Sequence, residues 1–176
     1  MYTSTAFWQL GGMVFTSVVG TVLHFVFDWT GGNAAVGVFT AVNESIWEHT
    51  KLLFVPMTLW TLIEAPALRR RHDAFWCAKL RGTLLGIFLI PTMYYVYSGI
   101  LGVSSDYVNI TIFFVAAAIA YRTETRWLSA PRRTPCRASL VWAVWGAVFL
   151  LYAVWTFLPP PIPLFRDPVS GAYGLV

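Results

Sequence analysis

Charge is scarce in this sequence. Asp, Glu, Lys and Arg make up 11% of its 176 residues, whereas a soluble domain carries about 25%. A chain that is 57% hydrophobic, with mean hydropathy +0.63, holds more apolar surface than one aqueous core can hide. That excludes an ordinary soluble domain and predicts an all-α, multi-pass integral membrane protein. Cysteine is scarce too, and neither Cys77 nor Cys136 has a His or Cys neighbour at metal-ligand spacing. Also missing are His-Glu-x-x-His, Gly-x-Ser-x-Gly, a Walker loop and Gly-x-Gly-x-x-Gly, so no named catalytic class is signalled. The first apolar run lacks a basic flank and a small-residue cleavage site, and reads as a retained span rather than a removable signal peptide.

The charge that is present is sorted by sign. Ten of the twelve Lys and Arg fall within Arg69 to Arg81 and Arg122 to Arg137, both between apolar runs. This explains the sequence pI of 9.3 as topology-setting charge, without a nucleic-acid partner. Placing both segments in the cytoplasm makes the N-terminus cytoplasmic and the C-terminal tail external. It also places Cys77 and Cys136 in the cytoplasm, where a disulfide is not expected. Five of the eight acidic residues, Asp28, Glu44, Glu48, Asp106 and Asp167, then collect on the external side with His24 and His49.

Apolar length predicts five transmembrane helices, over about residues 6–27, 44–64, 83–103, 105–121 and 138–158, followed by a Pro-rich external tail over 159–176. Gly12, Thr16 and Gly20 recur every four residues in the first span and form a close-packing stripe. Ala34 to Val42 is too short to span. It is either a re-entrant or interfacial piece, or the first turns of the second helix. Pro56 is expected to kink or loosen that helix near Leu52. The tail is expected to be extended, with a turn at Asp167 to Gly171.

The second span is unusual because Asn43-Glu44-Ser45-Ile46-Trp47-Glu48-His49-Thr50-Lys51 sits hard against Leu52-Leu53-Phe54-Val55. Two carboxylates, an imidazole and an ammonium at a membrane boundary cost free energy unless they pair, bind something or face water. On one continuous helix Glu44, Glu48 and Lys51 share a face, with His49 rotated about 100° away. His24 and Asp28, four residues apart at the end of the first span, lie across a short loop. His24, Asp28, Glu48 and His49 are thus candidate metal ligands. Their N and O donors suit zinc, manganese or iron, with Asp106 or Asn109 as a fifth ligand or supporting partner. Glu44 is then a candidate general base, and Lys51 a phosphate or oxyanion partner.

A purely structural reading competes at each position. Ser45-Ile46-Trp47-Glu48 fits a capping box, Lys51 pairs with Glu48, and a single histidine near a span end bonds a neighbouring carbonyl. The Tyr94, Tyr95 and Tyr97 cluster fits packing and interfacial anchoring.

Val42 to His49, with Lys51 to Phe54 and Pro56, resembles the signature of a family of small bacterial multi-pass membrane proteins catalogued as a domain of unknown function. Ile162-Pro163-Leu164-Phe165-Arg166-Asp167-Pro168-Val169, with Gly171, Tyr173 and Gly174, is similar to the same family's tail. The resemblance implies a bacterial inner-membrane protein, with the tail as a folded lid over the external site. It implies no reaction. The residues themselves favour a divalent-metal-dependent hydrolase or transferase acting on a lipid or lipid-linked substrate. One alternative is a proton- or cation-coupled transporter, for which so short a chain implies a homo-oligomer. The other is a non-catalytic subunit in which His24 and His49 clamp a haem.

Overall fold

A computed structural model describes residues 4–130 and 137–175. Among these residues the chain is all-helical. Helix α1 runs Thr5–Trp29, α2 Ala34–Gly37, α3 Ile46–Leu68, α4 Phe75–Leu101, α5 Asp106–Ser129 and α6 Ala138–Phe157, and a 3-10 turn follows at Pro163–Phe165. Four of them, α1, α3, α4 and α6, are long and apolar enough to cross a membrane. The 25 residues of α1 extend about 37 Å, more than the roughly 30 Å of a hydrocarbon core.

The bundle is arranged with polar groups inside and apolar groups outside. On α1, Gln9, Gly12, Thr16 and Gly20 are buried, while Phe7, Leu10, Val14 and Val18 are exposed. The four-residue stripe therefore packs inward as its small residues require, and the greasy face turns outward. An aqueous solvent would reverse that arrangement; a lipid solvent favours it.

Helix α3 is the most enclosed element. Of its most apolar stretch 61% is buried, against 17%, 11% and 22% in α1, α4 and α6. Leu53 and Met57 of α3 pack with Ile90 of α4 and with Ala116, Ala117 and Ala120 of α5. The alanines let α5 approach closely. On the other side Phe54 meets Val141, Trp145 and Tyr152 of α6. Enclosure explains why α3 tolerates Glu48, Lys51 and Glu64, since each has neighbours on several sides to satisfy it. Pro56 and Pro66 both lie within one continuous α3.

The basic segments Arg69 to Arg81 and Arg122 to Arg137 both run into helices. Lys79 and Arg81 belong to α4, and Arg122, Glu124 and Arg126 to α5. Lys79 is completely buried, and Arg81 stacks on Trp127 with its guanidinium carbon 4.0 Å from the ring centroid. Against the expectation of no disulfide, Cys77 is disulfide-bonded; it packs against the cluster of Phe54 with Val141, Trp145 and Tyr152 of α6. Cys136 lies outside the described residues. Of the alternatives for the segment after α1, the first turns of α3 are not what forms, since α3 begins only at Ile46. The segment is a separate short helix, capped by Asn33 Oδ1, which accepts from Ala35 N at 2.9 Å.

The C-terminal tail is docked on the bundle. Phe165 is buried against Trp47 and Trp155, with ring centroids 5.0 and 5.2 Å away. The expected turn is present, closed by Gly171 N donating to Asp167 O at 2.9 Å. Burial pushes the Asp167 carboxyl up, but the Ser170 hydroxyl and the amides of Val169 and Ser170 outweigh it and hold the group below its usual range. Asn43 Nδ2 donates to Gly174 O at 2.9 Å, and Leu175 N to Thr156 O at 2.8 Å. Gly174 has φ +69°, and a Cβ there would lie 2.8 Å from both Pro159 Cδ and Thr156 O. The last turn of the chain therefore requires glycine.

Candidate metal site

The polar stretch before and within α3 divides at Ser45. That residue is the N-cap of α3: its hydroxyl accepts from Glu48 N at 3.4 Å. The reciprocal half of a capping box is not made, because Ser45 N donates to Asn43 Oδ1 at 2.9 Å instead. Glu44 therefore precedes the helix, and the helical wheel that put it on one face with Glu48 and Lys51 does not extend to it. The two carboxylates point to different neighbours.

Glu44 turns towards the end of α1. Its Oε2 lies 3.5 Å from His24 Nε2 and 3.4 Å from His49 Nε2. The three ligand atoms all lie within 4.8 Å of one another, and the imidazole centroids are 5.2 Å apart. With metal–ligand bonds of about 2.05 Å and tetrahedral angles, neighbouring ligand atoms stand about 3.3 Å apart. Both carboxylate–imidazole distances are close to that spacing.

The tautomer of His49 suits coordination. Its Nδ1 lies 2.8 Å from Ser45 O, and a carbonyl can only accept, so Nδ1 carries a proton and Nε2 is the nitrogen left to face Glu44 or an ion. Hydrogen bonds from His24, then from His49, hold the Glu44 carboxyl well below the usual carboxylate range. Two imidazole nitrogens and one carboxylate oxygen, with Glu44's side chain 45% exposed, make a donor set open to further ligands.

The other residues singled out from the sequence lie elsewhere. Asp28 is exposed and outside this group, being one helical turn, about 6 Å, further along α1 than His24. Glu48 points inwards. Its Oε2 accepts from Lys51 Nζ at 2.6 Å and from Val42 N at 3.1 Å. Lys51, fully buried, also donates to Gly37 O at 3.0 Å, Thr40 O at 3.4 Å and Thr156 Oγ1 at 2.5 Å. This pair ties the α2 loop and α6 to α3. Asn109 Oδ1 accepts from Tyr97 Oη at 2.5 Å, and Asp106 is exposed in the first turn of α5.

A second polar group escapes a reading of the sequence. Gln9, Glu64, Lys79 and Glu124, from α1, α3, α4 and α5, meet in the interior at the opposite end of the bundle. Lys79 and Glu124 are camouflaged in the linear chain by neighbouring arginines, and Glu64 by the approach of a span end. The four-residue stripe on α1 was the available signal, since it leads from Thr16 and Gly12 to Gln9.

Among the described residues, an all-helical fold with four helices long and apolar enough to cross a membrane and a His/Glu/His cluster at one end defines the class of protein. The chain belongs to the Family of unknown function (DUF6512), matched over residues 1–175. No curated protein and no solved structure matches it.

Proposed function

We propose that this chain is a bacterial inner-membrane protein that binds a divalent metal, zinc, manganese or iron, at the external membrane face. We assign it hydrolysis or group transfer on a lipid or lipid-linked substrate. The observation that carries the reading is the position of Glu44 Oε2, within 3.5 Å of two imidazole nitrogens from different helices. His24, Glu44 and His49 would hold the ion. A metal held this way would polarise a substrate oxygen or activate a water. Glu44 is therefore assigned as a ligand rather than as the base. Lys51 receives no catalytic part, because its ammonium is buried and engaged by four acceptors.

A groove of about 450 Å³ supports the substrate class. Ile46, between Glu44 and His49 in the chain, lines it together with Tyr94, Tyr95, Tyr173 and Arg166. Tyrosines at a membrane boundary and one guanidinium suit an amphipathic molecule with an anionic headgroup. Haem is not part of the reading, because Glu44 sits against both imidazoles where a macrocycle would have to pass.

The test is elemental analysis of protein purified without chelators, with His24→Ala, Glu44→Gln and His49→Ala alongside. The reading requires near-stoichiometric metal in the wild type and its loss in all three variants; a metal-free wild type that binds none of the three ions on titration overturns it.

Transport is the competing reading, favoured by a specific observation: α3 carries buried ionisable residues at both ends, Glu48 and Lys51 at one and Glu64 at the other. pH-dependent flux in reconstituted vesicles would support it.

A further inference from the structure

Glu64, Lys79 and Glu124 are each 0% exposed, and Gln9 is 4% exposed. Lys79 forms ion pairs with both Glu64 Oε1 and Glu124 Oε2. The two carboxylates are not equally supported. Glu64 also accepts from Gln9 Nε2 at 3.2 Å through its other oxygen. Among the described residues Glu124 Oε1 has no hydrogen-bond partner, and neither do Gln9 Oε1, Thr83 Oγ1 and Glu64 Oε1, the last held by its ion pair with Lys79. Glu124 is also tightly confined: a Cβ on Gly82 of α4 would stand 2.6 Å from its Oε1.

Charge bookkeeping makes this group unusual. Two ionised carboxylates and one ammonium would leave a net negative charge in a fully buried site, which is costly without a second cation. Both carboxylates pair with the same cation, Lys79. From α1 the site meets Gln9, from α3 Glu64, from α4 Lys79 and Thr83, and from α5 the Tyr121 ring, 5.1 Å from Lys79 Nζ. The Tyr121 hydroxyl is occupied by Thr16 at 2.8 Å. His72, at the same end, is held by Thr5 Oγ1 and Leu128 O. The Glu48–Lys51 pair at the other end shows the contrast, with one carboxylate for one ammonium.

We propose that Gln9, Glu64, Lys79 and Glu124 form a proton-binding site, distinct from the metal site, in which Glu124 Oε1 takes one proton from hydronium and water is released. The new O–H bond neutralises the carboxylate that lacks the Gln9 contact and leaves Lys79 paired with ionised Glu64. The site then has no net charge and gains a donor where unpartnered acceptors now stand. Its ligand is the proton, and its occupancy sets the charge at the meeting point of α1, α3, α4 and α5.

Infrared spectroscopy of the full-length protein in lipid nanodiscs tests this. At neutral pH the wild type is expected to show the carbonyl band of a protonated carboxyl, shifting in heavy water. Glu124→Gln should lose the band. Glu64→Gln should lose it too although Glu124 is intact, because one carboxylate then balances Lys79. Lys79→Met should gain a second such band. Absence of the band from the wild type at neutral pH, or its persistence in either glutamine variant, overturns the proposal. Each variant is checked for folding by size exclusion and circular dichroism; if one glutamine variant fails to fold, the other carries the test with the same outcomes.

Discussion

Glu44 and Glu48, four residues apart, lie on opposite sides of the α3 N-cap and serve different partners: Glu44 faces His24 and His49, and Glu48 faces Lys51. Had the helix begun one turn earlier, the two carboxylates would share a face. Ser45 prevents this by capping α3 with its own hydroxyl. The single turn of chain outside the helix is what lets a carboxylate swing across to α1.

This division predicts distinct phenotypes for two chemically identical substitutions. Glu44→Gln removes a charged ligand and should weaken metal binding at least as much as the 10–100-fold typical of losing a ligand's supporting partner, with little effect on thermal unfolding of the metal-free protein. Glu48→Gln should leave a buried ammonium without its counter-charge and destabilise the fold by about 3–5 kcal/mol. Metal titration and detergent-phase unfolding, run on both variants, separate the effects. Equal metal affinities in the two variants would contradict the assignment of Glu44.

Lys51 should act as a structural tie. Its ammonium donates to the α2 loop and to Thr156 of α6 as well as to Glu48. Lys51→Met should cost stability in the same range as Glu48→Gln, and the double variant should be less destabilised than the sum, since neither charge is then stranded. Recovery will be incomplete because Gly37 O and Thr40 O lose their donor. A double-mutant cycle measures the coupling, and strict additivity would exclude it.

The general plan of the molecule was legible in the sequence, and the reasons are local. Lipid demands long apolar segments, and such segments announce themselves. The α1 stripe of Gly12, Thr16 and Gly20 also specified which face would be buried. At the candidate site, His24, Glu44 and His49 were all recognisable as residues too polar for their surroundings. Their grouping was not, because it depends on where α3 starts. The buried Glu64, Lys79 and Glu124 were hidden for another reason. Partners on three helices are needed before any of them becomes affordable in the interior, and one-dimensional spacing carries no trace of such convergence. The same holds for Cys77, which lies against a helix distant in sequence.

The tail should respond to one methyl group. Gly174→Ala places a Cβ against Pro159 and Thr156 O at a residue with φ +69°, and the left-handed conformation alone costs about 1–2 kcal/mol for an alanine. The Asn43–Gly174 and Leu175–Thr156 hydrogen bonds are expected to open. Limited proteolysis should then cleave after Arg166 far faster than in the wild type, while the helical bundle stays intact. Unchanged cleavage would show that the docked tail does not depend on this turn.

Acid should dismantle the candidate site through Glu44. Hydrogen bonds from His24 and His49 hold its carboxyl well below the ordinary value of 4.5. A group whose folded pKa is depressed binds fewer protons folded than unfolded, so its contribution is fully present above the unfolded value. It fades as pH falls from there through the folded value. Half exposure makes the contribution small, but it should be visible as a difference. Metal-free wild type should lose stability below about pH 4.5 more steeply than Glu44→Gln. The variant will retain some acid sensitivity because Asp167 is also held below its ordinary range. The metal-loaded protein should release its ion at a higher pH than this, as protons compete with the ion for its imidazole ligands. Unfolding followed across the acid range, with and without metal, distinguishes the two steps. Parallel acid sensitivity in wild type and Glu44→Gln would mean that the histidines do not stabilise the Glu44 carboxylate in the folded state.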